Sequence, residues 1–238
     1  MTSPLDVANL PLQRLVGIRV ALVEDHVLLA ESLRLTLRAE GADVHVIRLA
    51  ADIPTEEARA AIVSGCLRHK PQIVLLDLDL GPDVGDSDAV IAPIANAGVR
   101  VVMLTGSTDH ARLGDCLERG ATGVISKAEP LDFLVEQVRR AAHGERVLTA
   151  QERLDLVLES RRERAEREHR LAPFASLTDR EREVLGELMT GRQVEEISHD
   201  LFVSEATVRT HVRAILQKLA VRSQLAAVAR AREVGWEP

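Results

Sequence analysis

The sequence predicts an α/β domain built on a five-stranded, doubly wound parallel sheet, followed by a small all-α domain. Three observations support this prediction. Short apolar runs alternate with helical patterns five times before residue 145, and the runs are apolar throughout, as expected of strands covered on both faces. A stretch rich in both charge signs then leads into a set of short helical patterns. The length of 238 residues suits two domains, at roughly 100 to 200 residues each.

Five strands are predicted where the apolar runs lie, and a helical pattern follows each of them. The runs occupy residues 18–23, 44–47, 73–77, 100–105 and 123–126. The helical patterns occupy residues of about 26–40, 52–68, 87–97, 109–119 and 131–143. Boundary residues agree with this division, because Gly41 is typical of a helix end, while Asp52 and Pro54 are typical of a helix start.

Composition excludes several classes of protein. No apolar run approaches the ~18 residues of a membrane span, and the first residues lack a signal-peptide pattern, so we expect a cytoplasmic protein. Cys66 and Cys116 lie far apart without nearby His or Cys partners, which argues against a disulfide framework and a zinc site and favours core thiols. The net charge of −7 argues against a protein that coats nucleic acid everywhere but leaves room for a local basic surface.

Polar and charged side chains end four of the five predicted strands. In chain order they are Glu24 and Asp25, Asp77, Thr105, and Ser126 with Lys127. An isolated acidic pair is more often a solvated strand end, but the carboxyl ends of parallel strands meet at one edge of the sheet. Carboxylates held together need a cation, and an incomplete set of oxygen ligands suits Mg²⁺. We therefore predict a magnesium site to which Glu24 and Asp25 contribute.

This set of residues resembles the receiver domain of two-component response regulators, over about residues 17–145. The resemblance implies a flavodoxin-like fold, a sensor histidine kinase as partner and phosphorylation of Asp77. It also implies that Asp25 and, through water, Glu24 hold Mg²⁺ together with the Asp77 carboxylate and the backbone carbonyl of Asp79.

The resemblance further implies that Thr105 and Lys127 contact the phosphoryl oxygens. These roles agree with the chemistry of phosphoryl transfer, in which a carboxylate can act as nucleophile while a metal ion and an ammonium group offset the charge on the transferred group. The protein would then receive a phosphoryl group rather than act as an enzyme.

Two features depart from the usual receiver pattern. Gly81 lies where a proline usually follows the acceptor strand, and the same loop carries extra acids at Asp83, Asp86 and Asp88. Val124 replaces an aromatic residue that, in the resembled family, moves with the threonine on phosphorylation. We therefore expect a weakened switch, and a phosphorylation-independent DNA-binding regulator is an alternative.

A less favoured alternative assigns residues 75–81, "LLDLDLG", to a haloacid dehalogenase-like phosphatase. Asp77 would be the nucleophile and Asp79 the general acid, assisted by Thr105 and Lys127. That family places Thr or Val where Gly81 lies and has its acidic pair late in the domain, whereas here the pair comes early. The resemblance to that family is therefore limited to the residues of the site and does not extend to the order of motifs along the chain.

A charged linker is predicted at residues 146–173. Its mixed charges and thin apolar thread favour a solvated helix over a dimerising coil, because the apolar positions are not sustained over several heptads.

Short helices are predicted in the C-terminal domain, residues 174–238. Thr178 and Glu181 form a capping-box pattern, Gly191 ends that helix, a second helix covers about 194–200, and Ser204 caps a third. Apolar residues of the third helix share one face, which we predict to be core. They are Val208, Val212, Ile215, Leu216 and Leu219.

Basic residues predominate on the third helix, and a helix fits the major groove of DNA, although a basic face is also found on ordinary bundles. Residues 176–235 closely resemble the LuxR-type helix-turn-helix, which implies a DNA-binding transcription regulator of the NarL/FixJ type, a recognition helix at 204–213 and a homodimer formed through the helix at about 223–234. The predicted DNA-binding residues are Ser204, Thr207, Val208, Arg209, His211, Arg213 and Lys218.

Overall fold

The computed structural model describes residues 15–48, 54–81, 84 and 87–238. The chain forms two compact units, Met1–Arg161 and Arg162–Pro238, which we call the first unit and the second unit. Within the described residues, no helix is both long and apolar enough to cross a membrane.

The first unit contains a five-stranded parallel sheet, as predicted. The strands are β1 (Arg19–Val23), β2 (Asp43–Ile47), β3 (Ile73–Asp77), β4 (Arg100–Thr105) and β5 (Ala121–Ser126). The helices between and after them are α1 (Val27–Ala39), α2 (Thr55–Arg68), α3 (Asp88–Asn96), α4 (His110–Glu118) and α5 (Leu131–Ala142). All neighbouring strands are parallel in the order β2-β1-β3-β4-β5. The order reverses between β1 and β3, which is the place where ligands generally bind at the carboxyl ends of the strands in such sheets.

Apolar layers cover both faces of the sheet, which explains why its strands are apolar throughout. In β3, Val74 and Leu76 belong to one buried cluster, whereas Ile73 and Leu75 belong to the other. Successive strand residues point to opposite faces, so a strand between two layers needs apolar residues at every position. Both cysteines are buried free thiols, as predicted.

Helix α6 (Ala150–Ala175) follows α5, and its first part belongs to the first unit. There Leu156 packs against the core, Ser160 is 5% exposed, and Arg153 donates hydrogen bonds to backbone carbonyls of α4 and β5. A Cβ on Gly114 of α4 would lie 2.0 Å from the Leu156 carbonyl oxygen, so only glycine allows this approach. The prediction of a solvated helix is therefore wrong for the first part of α6.

The second unit is a helical bundle around one apolar core. Its further helices are α7 (Asp179–Met189), α8 (Val194–Asp200), α9 (Glu205–Lys218) and α10 (Gln224–Glu233). The predicted capping box of Thr178 and Glu181 is present at the start of α7. The predicted core face of α9 is confirmed, since Val208, Val212, Ile215 and Leu219 are buried and Leu216 packs against them.

Candidate functional sites

The carboxyl ends of β1, β3 and β5 bring charged side chains together, as predicted. The Lys127 ammonium lies 2.6 Å from Asp77 Oδ2 and 2.8 Å from Glu24 Oε1. Asp77 is 1% exposed and Glu24 5%. We call Glu24, Asp25, Asp77 and Lys127 the acidic site; it holds three carboxylates against one ammonium group.

Burial and crowding change the acid–base properties of the acidic site. Burial raises the pKa of Asp77 to about 6, and the nearby charge of Glu24 adds to this, while bonds from Lys127 and the Asp79 N–H act against it. Burial disfavours the charged form of Lys127, but Asp77 and Glu24 together raise the pKa of its ammonium. Among the described residues, nothing hydrogen-bonds the buried Oε2 of Glu24.

A histidine beside the acidic site was not predicted. His26 Nδ1 lies 2.7 Å from Asp25 Oδ1 and 3.0 Å from Glu24 Oε1, and the bond to Glu24, with the charge of Asp25, raises the imidazole pKa. Potential ligand atoms of Glu24, Asp25, His26 and Asp77 all lie within 4.8 Å of one another. The only sequence signal was the place of His26 directly after the acidic pair.

Thr105 and Asp79 complete the predicted set. Thr105 is 2% exposed at the end of β4, and its Oγ1 accepts a hydrogen bond from the Ser107 N–H at 2.9 Å. The Asp79 N–H donates to Asp77 Oδ1 at 3.1 Å, whereas the Asp79 carboxylate bonds Arg112 at 2.7 Å. The backbone of Asp79 thus approaches Asp77 while its side chain is bonded to an arginine.

The structure describes only some of the residues that depart from the receiver pattern. The Asp88 carboxylate bonds Arg119 at 3.1 Å. Asp83 and Asp86, like Asp52, lie outside the described residues. Val124 is half-buried and packs against the core, so the position lacks a ring that could exchange buried and exposed places.

The donor atoms of the acidic site fit a hard divalent cation. Glu24, Asp25 and Asp77 supply carboxylate oxygens, which Mg²⁺ prefers, and the buried Glu24 Oε2 has no hydrogen-bond donor in the described part of the chain. An uncompensated buried carboxylate oxygen is costly, and a cation would offset that cost.

The second candidate site is the exposed face of α9 in the second unit. Ser204 caps the helix by accepting a hydrogen bond from the Thr207 N–H at 3.1 Å. Thr207, Arg209 and Arg213 are exposed and His211 is half-buried. Arg209 bonds the Glu205 carboxylate, one turn earlier, at 2.6 Å. The face therefore presents cationic and hydroxyl groups on a capped helix.

Two predicted DNA-binding residues need correction. Val208 is 0% exposed and belongs to the core, so the prediction that it contacts DNA is wrong. The Lys218 ammonium lies 2.6 Å from the buried Glu181 carboxylate and 2.9 Å from the Ser176 carbonyl oxygen. The ammonium group is bonded within the second unit, which argues against the prediction that Lys218 contacts DNA phosphates.

Two family models match the chain. The response regulator receiver domain matches residues 20–139, and the luxR family of bacterial regulatory proteins matches residues 175–231. These matches support the receiver alternative at the acidic site over the phosphatase alternative.

Similar proteins cover nearly the whole chain. The nitrate/nitrite response regulator protein homolog of Haemophilus influenzae is 30% identical over 210 residues, 88% of this chain and 94% of that protein. The nitrate/nitrite response regulator protein NarP of Escherichia coli is 30% identical over 209 residues, 88% of this chain and 92% of that protein. Among solved structures, the RcsB response regulator of Salmonella typhimurium has a TM-score of 0.46 at 19% identity and covers 91% of this chain and 100% of its own.

Proposed function

The chain belongs to the response regulators that join a receiver domain to a LuxR-type DNA-binding domain, and we propose that phosphorylation of Asp77 controls its binding to double-stranded DNA. One observation carries the proposal: the buried carboxylate of Asp77 lies at a strand end, 2.6 Å from the Lys127 ammonium, beside Glu24. We propose a receiver at residues 17–145, a connecting segment at 146–173, whose part up to Arg161 belongs to the first unit, and a DNA-binding domain at 174–238.

The chemistry assigned to the acidic site is phosphoryl transfer to a carboxylate. A carboxylate oxygen of Asp77 attacks the phosphorus atom, the bond from phosphorus to the donor breaks, and an acyl phosphate remains on the protein. Lys127 and the Thr105 hydroxyl face the transferred oxygens and offset their charge. Glu24, Asp25 and Asp77, with the backbone carbonyl of Asp79, would hold Mg²⁺, which supplies further positive charge. The donor in the cell is a sensor histidine kinase.

The output is assigned to α9 as the recognition helix. Its exposed Thr207, Arg209 and Arg213 can reach base edges or phosphates, with Ser204 and His211 beside them. A homodimer formed through α10 would bring two such helices to adjacent half-sites. Because the phosphoryl group stays on the protein as a signal, we assign a regulator and not an enzyme. Its DNA partner and kinase donor go with a cytoplasmic location.

Phosphorylation of the purified full chain by a small phosphodonor tests this proposal. We expect the mass of one phosphoryl group to be added in the presence of Mg²⁺ and none after chelation. Asp77→Asn should abolish the addition. The control Asp43→Asn, which changes an exposed carboxylate at the start of β2, should not.

Two results would contradict the proposal. Phosphorylation of Asp77→Asn at the wild-type rate would exclude Asp77 as the acceptor. Sustained release of phosphate, far beyond one equivalent of protein, would favour the phosphatase alternative.

A further inference from the structure

His26 adds a nitrogen atom to a site whose other potential ligands are oxygens. Its Nδ1 lies 2.7 Å from Asp25 Oδ1 and 3.0 Å from Glu24 Oε1. Two ligands that bind one ion side by side in octahedral geometry, each about 2.1 Å from it, lie about 3 Å apart. In the structure these contacts are a hydrogen bond and an ion pair, and their spacing equals the one that two ligands of a shared ion would take.

Glu24 provides an independent sign that the site takes an ion. Its side chain is 0% exposed, and its Oε1 accepts from Lys127 and is bonded to His26. Its Oε2 has no hydrogen-bond partner among the described residues. One carboxylate oxygen of Glu24 lies within 4.8 Å of potential ligand atoms of Asp25, His26 and Asp77. A buried carboxylate oxygen without a donor is the atom that a cation would compensate most.

We propose that His26 binds the metal ion of the acidic site directly and shifts the site's preference from Mg²⁺ towards first-row transition-metal ions. Imidazole nitrogen is a poor ligand for Mg²⁺, which prefers oxygen, but it suits the transition metals. The inference rests on the proposed function, because Glu24, Asp25 and Asp77 are shared.

Electron spin-echo spectroscopy of Mn²⁺ bound to the full chain tests the nitrogen ligand. We expect a ¹⁴N modulation from a directly bound nitrogen, lost in His26→Gln and kept in the control His143→Gln, which changes an exposed histidine at the end of α5. The His26 side chain makes no capping bond to α1, so His26→Gln should fold. Selective ¹⁵N labelling of histidine gives the same answer without a substitution, since it should replace the ¹⁴N modulation by that of ¹⁵N.

Competition between Mn²⁺ and Mg²⁺ tests the preference. In His26→Gln we expect Mn²⁺ affinity to fall about tenfold or more, because loss of even an outer-shell partner of a ligand costs about 10- to 100-fold. Mg²⁺ affinity should change less than about threefold, because Mg²⁺ gains little from a nitrogen ligand. A variant that keeps the nitrogen modulation or the wild-type preference overturns the role of His26.

The experiments distinguish a wrong inference about His26 from a wrong proposed function. If Mg²⁺ binds and Asp77 is phosphorylated but His26→Gln behaves as wild type, only the inference about His26 is wrong. If neither ion binds and Asp77 accepts no phosphoryl group, the proposed function is wrong.

Discussion

Two buried glutamates, one in each unit, each bond a lysine, yet their surroundings differ. In the second unit Glu181 Oε2 accepts from the Lys218 ammonium at 2.6 Å and from the Thr178 N–H at 2.7 Å. One carboxylate meets one ammonium there. In the acidic site, by contrast, Glu24 shares Lys127 with a second carboxylate and keeps one oxygen without a partner in the described residues.

Acid–base properties follow this difference. Burial disfavours the charged form of Glu181, but Lys218 and the Thr178 bonds outweigh it and hold the pKa of Glu181 below its usual value. In the acidic site burial prevails, and the pKa of Asp77 is raised to about 6. Removing one partner of a balanced buried pair destabilises the fold, whereas an excess of buried negative charge points to a place where a cation binds and chemistry occurs.

The largest expected effect is on the rate of phosphorylation, which should depend on Lys127 and not on Lys218. Lys127→Met should slow phosphorylation of Asp77 by about 10²- to 10³-fold, because one preorganised group that stabilises the transferred charge is lost. The matched Lys218→Met should leave the rate unchanged. Initial rates with a small phosphodonor and saturating Mg²⁺ measure both. Equal slowing in the two variants would remove the distinction.

The stability of the second unit should show the reverse dependence, on Lys218 and not on Lys127. Lys218→Met should lower the free energy of unfolding of the second unit by about 1–3 kcal/mol, because Glu181 stays buried with fewer partners. Trp236, the single tryptophan, lies in that core, so its fluorescence in the full chain reports the transition. Lys127→Met should leave this transition in place.

A pH series sharpens the stability prediction. The folded pKa of Glu181 is below the ordinary 4.5, so its stabilising contribution is present above about pH 4.5 and is lost as pH falls through the folded pKa. The difference between wild type and Lys218→Met should therefore shrink on acidification. A difference that stays constant below the folded pKa would show that the carboxylate is not its source.

Outside the balanced pair, the second unit carries exposed cations that are available to DNA. Arg209→Ala should weaken binding to the cognate site by about 1–3 kcal/mol and change the sequence preference, if the guanidinium reads a base. Arg180→Ala, which removes another exposed arginine paired on its own helix, is the control and should change neither. Competition binding with variant sites measures affinity and preference. Wild-type affinity and preference in a folded Arg209→Ala would exclude Arg209 from the groove.

The smallest expected effect concerns coupling from phosphorylation to DNA binding. Val124 is half-buried, stiff at χ1 and too small to exchange buried and exposed places, so phosphorylation should change DNA affinity by less than about tenfold, or ~1.4 kcal/mol. Titration of one promoter fragment with untreated and beryllofluoride-treated protein, at fixed salt and Mg²⁺, measures this change. An increase of about a hundredfold would show that another element transmits the signal.

Sequence patterns predicted the strands well because strands depend on local periodicity. Apolar runs located all five strands, and the topology of a parallel sheet brought Glu24, Asp77 and Lys127 together. The docking of α6 was missed because it depends on Gly114, a residue in another helix. Partners from other elements also decide what a side chain does. A lysine on a basic helix is the same in sequence whether it faces DNA or, like Lys218, a buried carboxylate.

The acceptor residue itself is the most direct test of the contrast between balanced and unbalanced charge. Borohydride reduction of the phosphorylated full chain converts an acyl-phosphate aspartate to homoserine, and peptide mass mapping then locates it. The account predicts homoserine at position 77 alone, in an amount that follows the phosphoryl content. No homoserine should form when Mg²⁺ is chelated before the phosphodonor is added. Homoserine at position 25 or 79, or a stable phosphoryl group that borohydride does not remove, would contradict it.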